Sequence, residues 1–209
     1  MSNSYDDIKR KLKNDYNIKE DIFSHAKMMD TDIVKLFCDN LKKKNKEALI
    51  STILGIYGNY FASHEFIMKG YKIHNEYDIL DGKKKVTKAD IAYYDENNNL
   101  VLCEVKAARQ ILKNKNNYIY YDYSKNKKDI ELDKKKYYEI GKKLINQVTK
   151  LKKESDFVKV IIFENCVLDN DLLSDLYKLG IKKTDIITIP IDIINLHNYV
   201  EKMVMDILY

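Results

Sequence analysis

The chain has 209 residues, 33% of them charged, with a net charge of +5. That is long enough for one domain with a substantial core. Three widely spaced cysteines, Cys38, Cys103 and Cys166, exclude a disulfide framework and a cysteine zinc site and fit a reducing compartment. No apolar run is long enough to span a bilayer, and the charged first ten residues do not form a signal peptide. A soluble, cytoplasmic protein is therefore expected.

Asp6 to about Asn14 reads as a basic helix. Lys19 to about Lys46 reads as one or two more, with Ile22, Phe23, Ile33, Leu36, Phe37 and Leu41 at helical spacing. Ala48 to Lys69 is a stronger helix with an Ile53, Tyr57, Phe61 stripe and Gly70 as its stop. Tyr71 to Leu80 is extended and Asp81-Gly82 is a turn. Two β-prone segments flank the turn Asp95 to Asn99 and form a hairpin. The structure of Ala107 to Lys128 is not legible. Leu132 to Lys153 is a helix, Phe157 to Glu164 a buried strand, and Asp169 to Leu179 a helix ended by Gly180. Asp185 to Pro190 is a strand, and Ile191 to Leu208 an amphipathic helix.

A β-meander followed by αβαβ predicts an α/β fold with a mixed central sheet and helices on both faces. The expected organisation is a helical extension over residues 1–48 packed on a core of residues 49–209, the whole forming one compact unit.

The positive excess points to a polyanionic partner. Arg10 and Arg109 are the only arginines. Lysine serves phosphates as a point charge, whereas guanine reading favours arginine, so backbone contact is expected over base reading. Lys113, Lys115, Tyr118, Tyr120 and Tyr121 mix cations with aromatic rings, a pattern that can track phosphates and stack on splayed bases. A lysine-rich loop without such a role fits the same composition.

The hairpin carries the most chemistry. Folded symmetrically about Asn97, it sets Asp90 opposite Glu104, with Lys106 on the same face as Glu104. Facing carboxylates are unfavourable unless something offsets them, and a divalent cation would do so.

Ala89-Asp90 followed by Glu104-Val105-Lys106 resembles the core motif of the PD-(D/E)XK nuclease superfamily, the restriction-endonuclease-like fold, with Ala89 in place of the family's proline. The α-β-β-β-α-β core of that family would span about Leu54 to Pro190. Residues before it and the last helix fall outside. Gly58-Asn59 followed by Ala62, Phe66 and Gly70-Tyr71 is similar to the helix before the first core strand of resolvase-like members. Those members often carry a glutamate where this chain has Asn59, and Glu65 or His64 on the same helix are the candidate substitutes. Gln147 falls on the apolar stripe of Ile140, Leu144 and Leu151. Some members carry a glutamine or lysine on this helix, so Gln147 and, one turn earlier, Lys143 are further candidates. Asp78 ranks behind Asp90 as the strand carboxylate.

The resemblance implies a Mg²⁺-dependent phosphodiesterase, with Mn²⁺ able to substitute. Asp90, Glu104, the Val105 carbonyl and Glu65 would hold the metal. Lys106 would orient or deprotonate the attacking water, with Gln147 in support. Lys113, Lys115, Tyr118, Tyr120, Tyr121 and Lys143 would contact nucleic acid. DNA is expected over RNA, endonuclease over exonuclease, and a homodimer where both strands are cut. The alternatives are an RNA endonuclease with the same site and a non-catalytic nucleic-acid-binding or assembly subunit on the same fold.

Overall fold

The computed structural model describes residues 5–43, 46–81, 84–114 and 127–209. Within them lie seven α-helices: α1 Tyr5–Asn14, α2 Glu20–Met28, α3 Ile33–Lys43, α4 Lys46–Met68, α5 Lys127–Leu151, α6 Asn170–Lys178 and α7 Ile193–Leu208. The strands are β1 Ile73–Asp81, β2 Lys84–Tyr94, β3 Leu100–Val105, β4 Gln110–Ile111, β5 Phe157–Glu164, β6 Val167–Leu168 and β7 Ile186–Asp192.

Five strands form one mixed sheet in the order β1-β2-β3-β5-β7. β1-β2 and β2-β3 pair antiparallel, while β3-β5 and β5-β7 pair parallel. The antiparallel half comes from short hairpins. The parallel half needs crossovers, supplied by α5 and α6. Pro190 lies on β7 at the sheet edge, where a missing amide donor is tolerated. The stretch 19–46 resolves into two helices, because Asp30 turns at φ +53° and Asp32 then accepts the Lys35 amide at 3.0 Å to begin α3. Gly70 and Gly180 end α4 and α6 at φ +85° and +79°, as glycine at that position permits.

Two hydrophobic layers sandwich the sheet. One joins α1–α4 and α7 to Ile91, Tyr93, Val101, Cys103, Val105, Ile161 and Phe163. The other joins α5 and α6 to Ala92, Leu102, Val158, Val160 and Ile162. The N-terminal helices therefore share the core rather than resting on it: Ile8, Leu12 and Phe37 are fully buried. This explains α4, which a single apolar stripe describes poorly. Leu49, Ile50, Ile53, Leu54, Ile56, Tyr57, Ala62 and Phe66 are buried on nearly all its sides, as befits a helix enclosed between other helices and the sheet.

The segment after β3 is pinned in part. β4 pairs parallel with β6, and the Arg109 guanidinium donates to Asn198 Oδ1 at 2.8 Å. Neither short strand was legible in sequence. Two-residue pairings carry no periodicity. Among the described residues, no helix is long and apolar enough to cross a membrane.

Candidate active site

β2 and β3 pair from Tyr94↔Leu100 to Ile91↔Cys103. The next step in this register sets Asp90 against Glu104, the alignment expected from the symmetric hairpin. There the ladder ends. Asp90 Oδ2 accepts the Val105 amide at 2.8 Å, so a carboxylate takes the place of a backbone carbonyl and the two strands part.

The inside-outside alternation also changes at this point. Ile91 and Tyr93 pack on the α4 side of the sheet, and regular alternation would put Ala89 with them. Ala89 instead packs on the α5 side. In β1 the same reversal separates Ile73 from Tyr77 and Ile79, with Glu76 at φ +54° between them. The paired reversals open a cavity of about 280 Å³ on the α4 side, lined by Asp90, Val105, Lys106 and Ala107 from the sheet, Glu76 from β1, and Gly55, Ile56 and Asn59 from α4.

Glu104 is 5% exposed. Lys106 Nζ donates to its Oε1 at 2.5 Å. Burial, and then the adjacent Asp90 charge, push the Glu104 carboxyl up to about 7 against the opposing pull of Lys106. Among the described residues, its Oε2 is buried with no hydrogen-bond partner. Asp90 is also raised, chiefly by burial, while Lys106, the Val105 amide, Lys88 and Asn59 pull it down. The carboxamide of Asn59 thus lies against Asp90. It presents a neutral donor instead of a third charge.

Gln147 does reach back from α5. Its Nε2 donates to the Lys88 carbonyl, and its Oε1 accepts from the Thr87 hydroxyl at 3.2 Å. It lies alongside Glu104 and eases that charge, and one amide hydrogen binds β2. It therefore ties α5 to the strand that carries Asp90.

Other expected residues are not gathered here. Glu65 is six residues beyond Asn59, about 9 Å further along α4 and on another face, where Lys69 Nζ pairs with it at 2.9 Å. His64 is exposed beside Tyr60. Asp78 pairs with Lys85 near the tip of the β1-β2 hairpin. Lys113 is exposed and pairs with Asp175 of α6 at 2.5 Å, so its charge already has a protein partner. Lys143 is exposed on α5, one turn before Gln147. Lys115, Tyr118, Tyr120 and Tyr121 lie outside the described residues.

Glu76 was not foreseen. It faces Asp90 across β1-β2, between Asn75↔Ile91 and Tyr77↔Ala89. A bulge between Ile79 and Leu80 shifts the hairpin by one residue. The pairing at the hairpin end, Asp81↔Lys84 and Leu80↔Lys85, continued without the bulge would have set Asn75 there instead. No signal in the sequence marks that bulge.

Comparison of the chain with family models, with curated proteins and with solved structures returned no match.

Proposed function

We propose that the protein is a metal-dependent nuclease of the restriction-endonuclease-like type, cutting phosphodiester bonds in nucleic acid, with DNA favoured as substrate. The observation that carries this reading is the convergence of Asp90, Glu104 and Lys106 where β2 and β3 part, with one buried carboxylate oxygen unpartnered among the described residues.

The donor set fits a single hard divalent cation. Burial raises both carboxyls, and the Asp90 charge raises Glu104 further; a cation between them would relieve this. Among the described residues, no three or more His, Cys, Asp or Glu side chains are gathered to hold a metal ion. Mg²⁺ is often held by one or two carboxylates and keeps several waters, and Asp90 and Glu104 are two carboxylates at one place on the sheet. Asp90 and Glu104 would hold it, with the Val105 carbonyl as the third protein donor. When bound, the metal supplies positive charge at the scissile phosphate and makes an attacking water more acidic. Lys106, held by Glu104, would orient that water by donating a hydrogen bond to it. Asn59 and the Val105 amide fix the Asp90 carboxylate, and Gln147 fixes β2.

The test is incubation of the purified protein with supercoiled plasmid, linear duplex, single-stranded DNA and RNA in Mg²⁺, Mn²⁺ or EDTA, beside Lys106→Ala. The expected result is cleavage that needs the metal and is lost in the variant, while its melting temperature stays within a few degrees of wild type. Equal cleavage by Lys106→Ala would refute the assignment. A second reading, a non-catalytic nucleic-acid-binding subunit on the same fold, is favoured by Asn59 standing where related enzymes carry a carboxylate. Absence of both cleavage and Mn²⁺ binding in the folded protein would select it.

A further inference from the structure

We propose that Lys88 is a second phosphate-binding cation of this site, and that Glu76 is the carboxylate that holds it when no polyanion is bound. The inference rests on the nucleic-acid reading above and adds two residues to it.

Glu76 adopts φ +54° in the interior of β1. A non-glycine residue in the left-handed region is strained and uncommon away from turns. The conformation has a visible consequence: it sends the Glu76 side chain into the cavity that also contains Asp90, Val105 and Lys106.

The reversal of alternation in β2 does the same for Lys88. Thr87 bonds to Gln147 of α5, and Ala89 packs with the α5 layer. Lys88 between them points to the other side, where it pairs with Glu76. Regular alternation continued from Ala92 would have turned Lys88 toward α5 and away from the cavity.

Its backbone is held, because Gln147 Nε2 binds the Lys88 carbonyl. Its side chain is not enclosed: Lys88 and Glu76 are 37% and 19% exposed. A half-exposed ion pair contributes little and can exchange partners. The charge balance favours that exchange. Glu76, Asp90 and Glu104 against Lys88 and Lys106 sum to one negative charge, which a divalent cation reverses to one positive. A phosphate arriving beside Asp90 then meets an ammonium group able to leave Glu76 for it.

The test uses a fluorescein-labelled oligonucleotide of about 20 nucleotides, as single-stranded DNA, duplex DNA and RNA. Binding is read by anisotropy at several salt concentrations in EDTA and in Ca²⁺. Lys88→Met should bind several-fold more weakly than wild type, with the slope of log K against log salt reduced by about 0.9. Glu76→Gln, which releases Lys88, should bind several-fold more tightly. Lys88→Arg should stay close to wild type. Opposite signs for the two charge-removing variants separate this role from a structural one, since loss of a merely stabilising ion pair would weaken both. Binding by wild type that neither variant changes, or that both weaken, overturns the role of Lys88 and Glu76 and leaves the nuclease reading standing. Failure of wild type to bind any of the three probes overturns the nucleic-acid reading and this role with it.

Discussion

Glu104→Gln removes a charge that the fold holds at a cost. The Glu104 carboxyl is pushed from 4.5 to about 7, first by burial and then by Asp90. At about 1.36 kcal/mol per pKa unit, that shift corresponds to roughly 3 kcal/mol. The folded state takes up this proton more readily than the unfolded chain. Stability therefore falls as pH rises from about 4.5 to about 7 and levels off above that. Asp90, raised in the same direction, steepens the fall. The glutamine amide resembles the protonated acid, so the variant should match wild type near pH 5. At pH 8 it should be more stable by up to about 3 kcal/mol, or about 6–12 °C in Tm for a chain of this size. The assay is thermal unfolding of both proteins from pH 5 to 8.5 in EDTA. Added Mg²⁺ should then stabilise wild type at pH 8, by about 2.7 kcal/mol at a hundred times Kd, and leave the variant unmoved. A difference between the two proteins that does not vary with pH, or a variant less stable at pH 8, would refute the reasoning.

Two glycines test the packing around the site. A Cβ on Gly141 would lie 1.9 Å from the Leu112 carbonyl oxygen, so Gly141→Ala must separate α5 from the strand-like segment after β4; a loss of about 3 kcal/mol or more in urea unfolding is expected. A Cβ on Gly58 would meet the Ala107 Cβ at 2.8 Å. Gly58→Ala should cost about 1–3 kcal/mol and, by shifting the residue next to Lys106, reduce metal-dependent cleavage by more than the stability loss explains. An unchanged melting curve for Gly141→Ala, or full cleavage by Gly58→Ala, would contradict the packing described.

Much of the site was legible because it is local. Asp90, Glu104 and Lys106 sit on one hairpin, and a polar turn with a symmetric register is enough to align them. Helix ends were legible at Gly70, Gly180 and Asp169, where a single residue's backbone preference or capping oxygen sets the boundary. Gln147 stood out as a polar group on an apolar stripe, and its bonds to Thr87 and Lys88 give it the partners such a group requires.

Glu65 shows where that approach stops. It shares α4 with Asn59, and only the rotation and rise of the helix against the sheet decide that Asn59 meets Asp90 while Glu65 pairs with Lys69. The enclosure of α4 by α2, α3 and α7 has the same origin, since a helix's own stripe does not state how many neighbours will cover it. Glu76 and Lys88 depended on a one-residue bulge in β1-β2 and on a left-handed residue within a strand. Side chains alternate with a period of two, so a single extra residue exchanges the faces of everything beyond it. Short-range chemistry along the chain thus defined the elements, the mixed sheet and the Asp90, Glu104, Lys106 group. The cavity, its neutral Asn59 wall and the Glu76–Lys88 pair were settled by packing between segments far apart in the chain, where small offsets in register and helix rotation choose which side chains meet.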